Sequence, residues 1–296
     1  MKLLNYYKYL FALSGVILIL GIISLAVFGL RFGIDFKGGT VTELQFKQSF
    51  DQNKVKEVLD ADGIHNYQLQ ATGTNGLIIR TESLEKEAHD KIESDISSKV
   101  GEFEEKRFDN IGPVIGQELK KKAIYQLLLV SIGIVLYIAY AFRKVTRPIT
   151  PIQFGVSAVI ALIHDLLIVI GIFSILGHFY KIEIDSLFVT AMLTVLGFSV
   201  HDTIIVFDRI RENLRLYAGQ PIDFIVNHSI SQTLVRSLNT SLTVLFVLLA
   251  MLLFGGETIR YFVLALFIGI AAGTYSSIFV ASPIIVLWQN WRTRKR

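Results

Sequence analysis

With 296 residues, 52% of them hydrophobic and 18% charged, and a mean hydropathy of +0.52, the chain has the composition of an integral membrane protein. The absence of cysteine excludes a disulfide framework and a thiolate metal site. The net charge of +4 hides two unlike parts: residues 31–122 hold 14 Lys+Arg against 17 Asp+Glu, while the rest holds 15 against 8, in segments that border apolar runs, so a nucleic-acid-binding patch is excluded as well.

Apolar runs fall at 9–30, 123–142, 152–176, 186–207, 236–254 and 262–288. Each is near the ~20 residues needed to cross ~30 Å of hydrocarbon. The first is long for the apolar part of a signal peptide. Arg31-Phe-Gly-Ile-Asp35 follows it in place of a small-residue cleavage site, so it reads as a retained anchor. Lys2 and Lys8 precede it, Arg143, Lys144 and Arg147 lie between the second and third runs, Arg209, Arg211 and Arg215 follow the fourth, and Arg292, Arg294, Lys295 and Arg296 close the chain. These twelve cations predict a cytoplasmic side that holds both termini. The opposite short loops offer only Lys181 and Arg260. The expected order is residues 1–30 (N-terminus and first span), an external domain at 31–122, five spans over 123–288 with a cytoplasmic segment at 208–235, and a basic tail at 289–296.

Within the external domain, Val41–Phe46 reads as a strand with Thr42, Leu44 and Phe46 on one face. Asp51–Asp62 reads as a helix stopped by Gly63. Asn66–Ala71 and Leu77–Thr81 read as strands joined by a Gly-rich turn. Ser83–Val100 reads as a second helix, apolar at Leu84, Ala88, Ile92 and Ile96, and Glu102–Phe108 as a last strand. The order βαββαβ is ferredoxin-like. His65 and His89 read as isolated and solvated, and no metal site is expected. At the junction, Gly33-Ile-Asp-Phe-Lys-Gly-Gly-Thr40 places Gly38 and Gly39 where unusual backbone angles are needed. It is either a tight junction or a contact site for Asp35 or Lys37.

Ionisable residues within the spans carry the functional argument. Asp202, in the fourth run, and Arg236, in the fifth, each lie about 6 residues from the same side, roughly 9 Å deep at ~1.5 Å per residue. A charge at that depth costs ~2.5–3.5 kcal/mol or more, so the two are expected to pair. Thr190, Thr194, Gly197 and His201 form a polar stripe on the fourth span, with Ser199 and Asp202 beside it, and Gln232 with Thr233, Arg236, Asn239 with Thr240, and Thr243 form one on the fifth. Two stripes facing each other form either a static ion pair that sets helix register or a proton relay, with Asp202 alternating between acid and carboxylate beside a permanently charged Arg236. His164 and Asp165 in the third span form a second His-Asp pair, either relay or structural hydrogen bond. Adjacent residues diverge on a helix, which argues against metal at either pair. Gly269, Gly273, Ser277 and Ala281 recur every four residues in the sixth span and predict close helix packing. Beyond Asp208, span four is expected to continue as a basic helix, turn at Ala218-Gly-Gln-Pro221 and re-enter through a short helix.

Gly33–Thr40, Asp202-Thr-Ile-Ile-Val-Phe-Asp-Arg-Ile-Arg-Glu-Asn213, Thr233-Leu-Val-Arg-Ser237 with Thr240-Ser241, and Gly273-Thr-Tyr-Ser-Ser-Ile-Phe-Val-Ala-Ser-Pro283 together resemble the SecF family of the bacterial SecDF accessory translocase, in the resistance–nodulation–division superfamily. The resemblance covers nearly the whole chain. It implies a non-enzymatic subunit in the bacterial inner membrane, driven by the proton-motive force in late protein export. It implies SecD as partner, with the SecYEG channel, YajC, YidC and an unfolded exported polypeptide as further contacts. It also implies proton passage at Asp202, Arg236 and Thr240, with His201 and Asn239 beside them and His201 standing where the family commonly has Asn. No cofactor is expected, and the coupling ion is left open between proton and sodium. The other readings are a superfamily exporter of lipids or small hydrophobic molecules and, more remotely, an intramembrane hydrolase, for which neither Gly-x-Ser-x-Gly nor His-Glu-x-x-His is present.

Overall fold

The structure is a computed structural model that describes residues 7–143 and 149–294, apart from the side chains of Tyr7, Lys8 and Glu257. Of the cations used for orientation, Lys2, Lys144, Arg147, Lys295 and Arg296 lie outside the described residues, as does the side chain of Lys8. The chain divides into two compact units, Phe32–Ile124 and the remainder.

After a first long helix in the larger unit, α1 Tyr7–Phe28, the smaller unit holds α2 Ile34–Lys37, β1 Gly39–Phe46, α3 Gln52–Ala61, β2 Tyr67–Thr72, β3 Gly76–Thr81, α4 Lys86–Lys99 and β4 Phe103–Ile111. The four strands form an antiparallel sheet in the order β2-β3-β1-β4, which is the ferredoxin-like arrangement. Alternation along β1 buries Thr42, Leu44 and Phe46, as the sequence predicts. They share a core with Val55, Val58 and Leu59 of α3 and with Ile92 and Ile96 of α4. Asp51 caps α3 by accepting from the Asn53 N–H at 2.9 Å.

One expectation fails here. His89 is neither isolated nor solvated: it is 5% exposed and takes the inward position expected of Ala88, which is exposed. A strict four-residue spacing drifts around a helix of 3.6 residues per turn. The buried face of α4 therefore follows His89, Ile92 and Ile96.

The larger unit contains α1, most of α5 (Pro113–Ala141), α6 (Pro151–Tyr180), α7 (Ser186–Leu216), α8 (Ile222–Phe254), α9 (Glu257–Ser276) and α10 (Ser282–Arg294). Helices α9 and α10 run on through a π-helical turn, Ser277–Ala281, so six helices among the described residues are long and apolar enough to cross a membrane. Pro283 lacks the N–H that an α-helix would use and crowds the preceding turn. The Ser282 hydroxyl accordingly bonds the Ser277 carbonyl five residues back, at 2.9 Å. The expected separate short helix after Pro221 does not form. Ile225, Val226, Ser229, Ile230 and Thr233 continue the same buried face as Ser237 and Ser241, so one helix runs from Ile222 to Phe254.

Glycine decides how closely these helices approach. A Cβ on Gly273 of α9 would lie 2.9 Å from the Ser199 Cβ of α7, and one on Gly269 would meet the Val195 side chain. The small-residue face of α9 therefore packs on α7 within the chain.

Candidate functional site

Four helices of the larger unit bring two carboxylates into its interior. Asp202 of α7 is 0% exposed and Asp165 of α6 is 1% exposed. Ser199 and Asp202 are three residues apart and share the inward face of α7. The close approach at Gly273 draws Thr274 and Ser276 of α9 in beside them.

Asp202 Oδ2 accepts a hydrogen bond from Ser241 Oγ of α8 at 3.2 Å, and Ser241 Oγ lies 2.6 Å from Thr274 Oγ1. The other oxygen, Asp202 Oδ1, is buried without a hydrogen-bond partner. Asp165 is more fully held. Its Oδ2 accepts from Ser199 and from Ser276 at 2.8 Å, and its Oδ1 lies 2.9 Å from His164 Nδ1. The His164 and Asp165 side chains therefore meet instead of diverging. They leave the helix only about 100° apart, and the imidazole is long enough to bend back onto the carboxylate. His164 Nε2 remains buried and unbonded.

The expected pairing of Asp202 with Arg236 is not formed. None of the described ion pairs joins them, and Arg236 is exposed, as are Asn239 and His201. The reason is helical phase. Thr233, Ser237 and Ser241 face inward on α8, and Arg236 projects about 100° from Ser237. Thr240 is half-buried and bonds the Arg236 carbonyl at 2.9 Å, and Thr243 bonds the Thr240 carbonyl at 2.8 Å. Thr190 and Thr194 likewise bond carbonyls of their own helix. Apart from the buried Thr233 and the half-buried Thr240, the two sequence stripes thus stay on exposed faces. The carboxylates are bonded instead by Ser199, Ser241 and Ser276, with Thr274 bonded to Ser241, and of these the sequence stripes had placed only Ser199, beside Asp202. Their signal was present in Thr240-Ser241 and Gly273-Thr-Tyr-Ser-Ser277, where hydroxyls cluster in apolar runs.

In the smaller unit Gly38 (φ +81°) and Gly39 (φ +137°) adopt backbone angles that side chains disfavour. A Cβ on Gly38 would lie 2.7 Å from Pro113 Cα, and one on Gly39 would lie 2.7 Å from the Thr81 carbonyl oxygen. Asp35 lies in the first turn of α2 just before them.

Two family descriptions match the chain. "Protein export membrane protein SecD/SecF, C-terminal" covers residues 91–291, and "SecD/SecF GG Motif" covers residues 23–49, which include Gly38 and Gly39. The protein translocase subunit SecF of Thermobaculum terrenum is 48% identical over 293 residues, covering 95% of this chain and 91% of that protein. That of Anaerolinea thermophila is 41% identical over 292 residues, covering 96% and 94%. Among solved structures, SecDF from Thermus thermophilus, described as a translocon-associated membrane protein, superposes with a TM-score of 0.85 at 32% identity. SecDF in a super-membrane-facing form superposes with a TM-score of 0.70 at 33% identity. Each match covers 98% of this chain but 39% of the SecDF chain, so this chain spans about two fifths of those longer proteins.

Proposed function

The chain belongs to the SecD/SecF family of protein-export membrane proteins, as a SecF translocase subunit, and we propose that it couples ion flow to late protein export through Asp202. The carrying observation is the fully buried Asp202 carboxyl, held at one oxygen by Ser241 and unbonded at the other. A permanently charged carboxylate in that place costs several kcal/mol. A carboxyl that takes up and releases a proton does not carry that cost throughout its cycle. Thr274 and Ser241 supply hydroxyls that both donate and accept, as a proton path requires.

In this reading Arg236 and Asn239 work on the exposed face of α8, where a second transmembrane half would pack, and SecD is the partner that supplies it. Arg236, exposed in the single chain, would then be enclosed in the complex and face the relay from the partner's side. His164 and Asp165 form a second, more firmly bonded branch of the same polar interior. The termini lie on the cytoplasmic side of the bacterial inner membrane, and the smaller unit faces outward, toward polypeptide emerging from the SecYEG channel. The energy source is the ion gradient, and hydrolysis by this subunit has no part in it.

The test is export of a secreted protein by membrane vesicles, with and without a proton gradient, for wild type and Asp202→Asn present at equal level and bound to SecD. Loss of the gradient response with the complex intact supports the reading. A retained response makes Asp202 structural and moves the ion path elsewhere.

A further inference from the structure

The smaller unit holds a separate cluster of ionisable groups where α4 meets β4. The His89 ring stacks on Phe108 with centroids 3.9 Å apart. Its Nε2 lies 3.4 Å from Glu105 Oε1 and 3.7 Å from Glu93 Oε2. The Glu93 and Glu105 carboxyls are within hydrogen-bond reach of each other. Burial first, and then the charge of Glu105, hold Glu93 above its ordinary carboxylate range. Donor atoms of His89, Asp90 and Glu93 all lie within 4.8 Å of one another.

The fold assembles this cluster from two elements. His89 and Glu93 share a face of α4 at i, i+4 spacing. Glu105 and Phe108 are three apart on β4, and strict alternation would send them to opposite faces of the sheet. The register shift prevents that. Glu43 pairs with Arg107 and Leu44 with Glu105, so Lys106 is an extra residue. Thr42 pairs with Phe108 on the far side of the shift. Glu105 and Phe108 therefore share the helix-covered face of Thr42 and Leu44, one on the Nε2 of His89 and the other beneath its ring.

Two carboxylates in contact need a proton or a cation between them. The spacing favours a metal ion. Bonds of ~2.0–2.1 Å to a tetrahedral zinc place its donors about 3.4 Å apart, close to the separations seen around His89 Nε2. An imidazole among carboxylates suits zinc and its transition-metal neighbours better than magnesium or calcium, which take oxygen ligands. The Glu93 and Glu105 side chains are 28% and 29% exposed, which leaves an ion a path in and room for water ligands. We propose that His89, Glu93 and Glu105 form a binding site for a divalent transition-metal ion, with Asp90 as an additional nearby carboxylate. Such an ion would tie α4 to the edge strand β4. The site does not depend on the export mechanism.

The test uses the full chain, purified in detergent and stripped of metal, titrated with zinc chloride by calorimetry. Wild type, Glu105→Gln and His89→Gln are compared, with thermal unfolding to establish that each is folded. The expected result is one equivalent of zinc bound by wild type, at least tenfold weaker binding in both variants, and a zinc-dependent rise in wild-type Tm that Glu105→Gln lacks. Absence of a saturable site in wild type overturns the proposal. So does unchanged affinity in Glu105→Gln, which would remove Glu105 from the ligand set. If His89→Gln unfolds, Glu105→Gln decides alone, because its near-isosteric side chain sits at a partly exposed position.

Discussion

Ser241 of α8 donates a hydrogen bond to the fully buried carboxyl of Asp202 on α7, 3.2 Å away. Among the described residues that hydrogen bond, and no ion pair, joins the Asp202 side chain to α8. A hydrogen bond to a charged acceptor contributes about 1.5–3 kcal/mol. Ser241→Ala is therefore expected to slow gradient-driven export by roughly tenfold or more while leaving SecD binding intact. Export assays across a pH series would check it, since removing a partner of the carboxyl should also move the pH at which export is half-maximal. A rate and pH profile equal to wild type would remove Ser241 from the path.

Arg236 separates stability from function. Its side chain is exposed in the chain, and exposed substitutions usually change stability by less than ~0.5 kcal/mol. Arg236→Met should leave the thermal unfolding of the purified subunit unchanged and abolish the gradient response of export once SecD is present. Marked destabilisation of the isolated subunit would mean that Arg236 has a structural role within this chain.

Gly273 should tolerate no side chain. Its added Cβ would lie 2.9 Å from the Ser199 Cβ and 3.2 Å from its Cα. Gly273→Ala must push α9 away from α7, at an overpacking cost of about 1–3 kcal/mol. It should also loosen the hydroxyls of Ser199 and Ser276 from Asp165. Thermal unfolding measures the first effect and export the second. Gly197→Ala, which meets open space in the chain, is the control and should not lower stability.

The junction makes a similar contrast. Gly38→Ala combines a positive φ of +81° with a contact of 2.7 Å to Pro113 Cα. Gly73→Ala has φ +56° but no neighbour within 4 Å. Backbone strain of about 1–3 kcal/mol applies to both, so Gly38→Ala should be the more destabilising of the two. Equal losses of Tm would show that the close approach to Pro113 carries no extra cost.

Lys47 and Glu102 give a pH prediction outside the membrane. The hydrogen bond from Lys47, and then its charge, hold Glu102 below the ordinary carboxylate value of 4.5. A lowered folded-state value stabilises above the unfolded value and loses that contribution as pH falls through the lowered one. Both groups are exposed and screened by solvent, so the readout is the carboxyl itself and not Tm. In an NMR titration, Lys47→Met should return Glu102 toward 4.5. A wild-type Glu102 that already titrates there would show that the pair does not persist in solution.

The fold was legible because its signals are local. Apolar runs located the six long helices, and alternation and turn residues ordered the smaller unit's strands and helices as βαββαβ. The site was only partly legible. Asp202 and Asp165 stand out because charge is rare in apolar runs. The choice of Arg236 as partner of Asp202 followed matching depth, whereas contact depends on rotation about the helix axis. Ser241 lies five residues beyond Arg236, on a different side of α8, and it is the residue that faces inward.

The sequence by itself determined that this is a membrane protein, where its long helices and its ferredoxin-like unit lie, and which family it belongs to. All of these are properties of composition, period and motif along one chain. Only the tertiary structure decided that Ser199, Ser241 and Ser276 bond the buried carboxylates and that Thr274 bonds Ser241. Only it placed Arg236 on an exposed face and brought His89, Glu93 and Glu105 together across a β-bulge. Those contacts depend on helix phase, on how closely glycine lets two backbones approach, and on one extra residue in a strand. Each is a distance between segments remote in sequence, set by packing that no local pattern records.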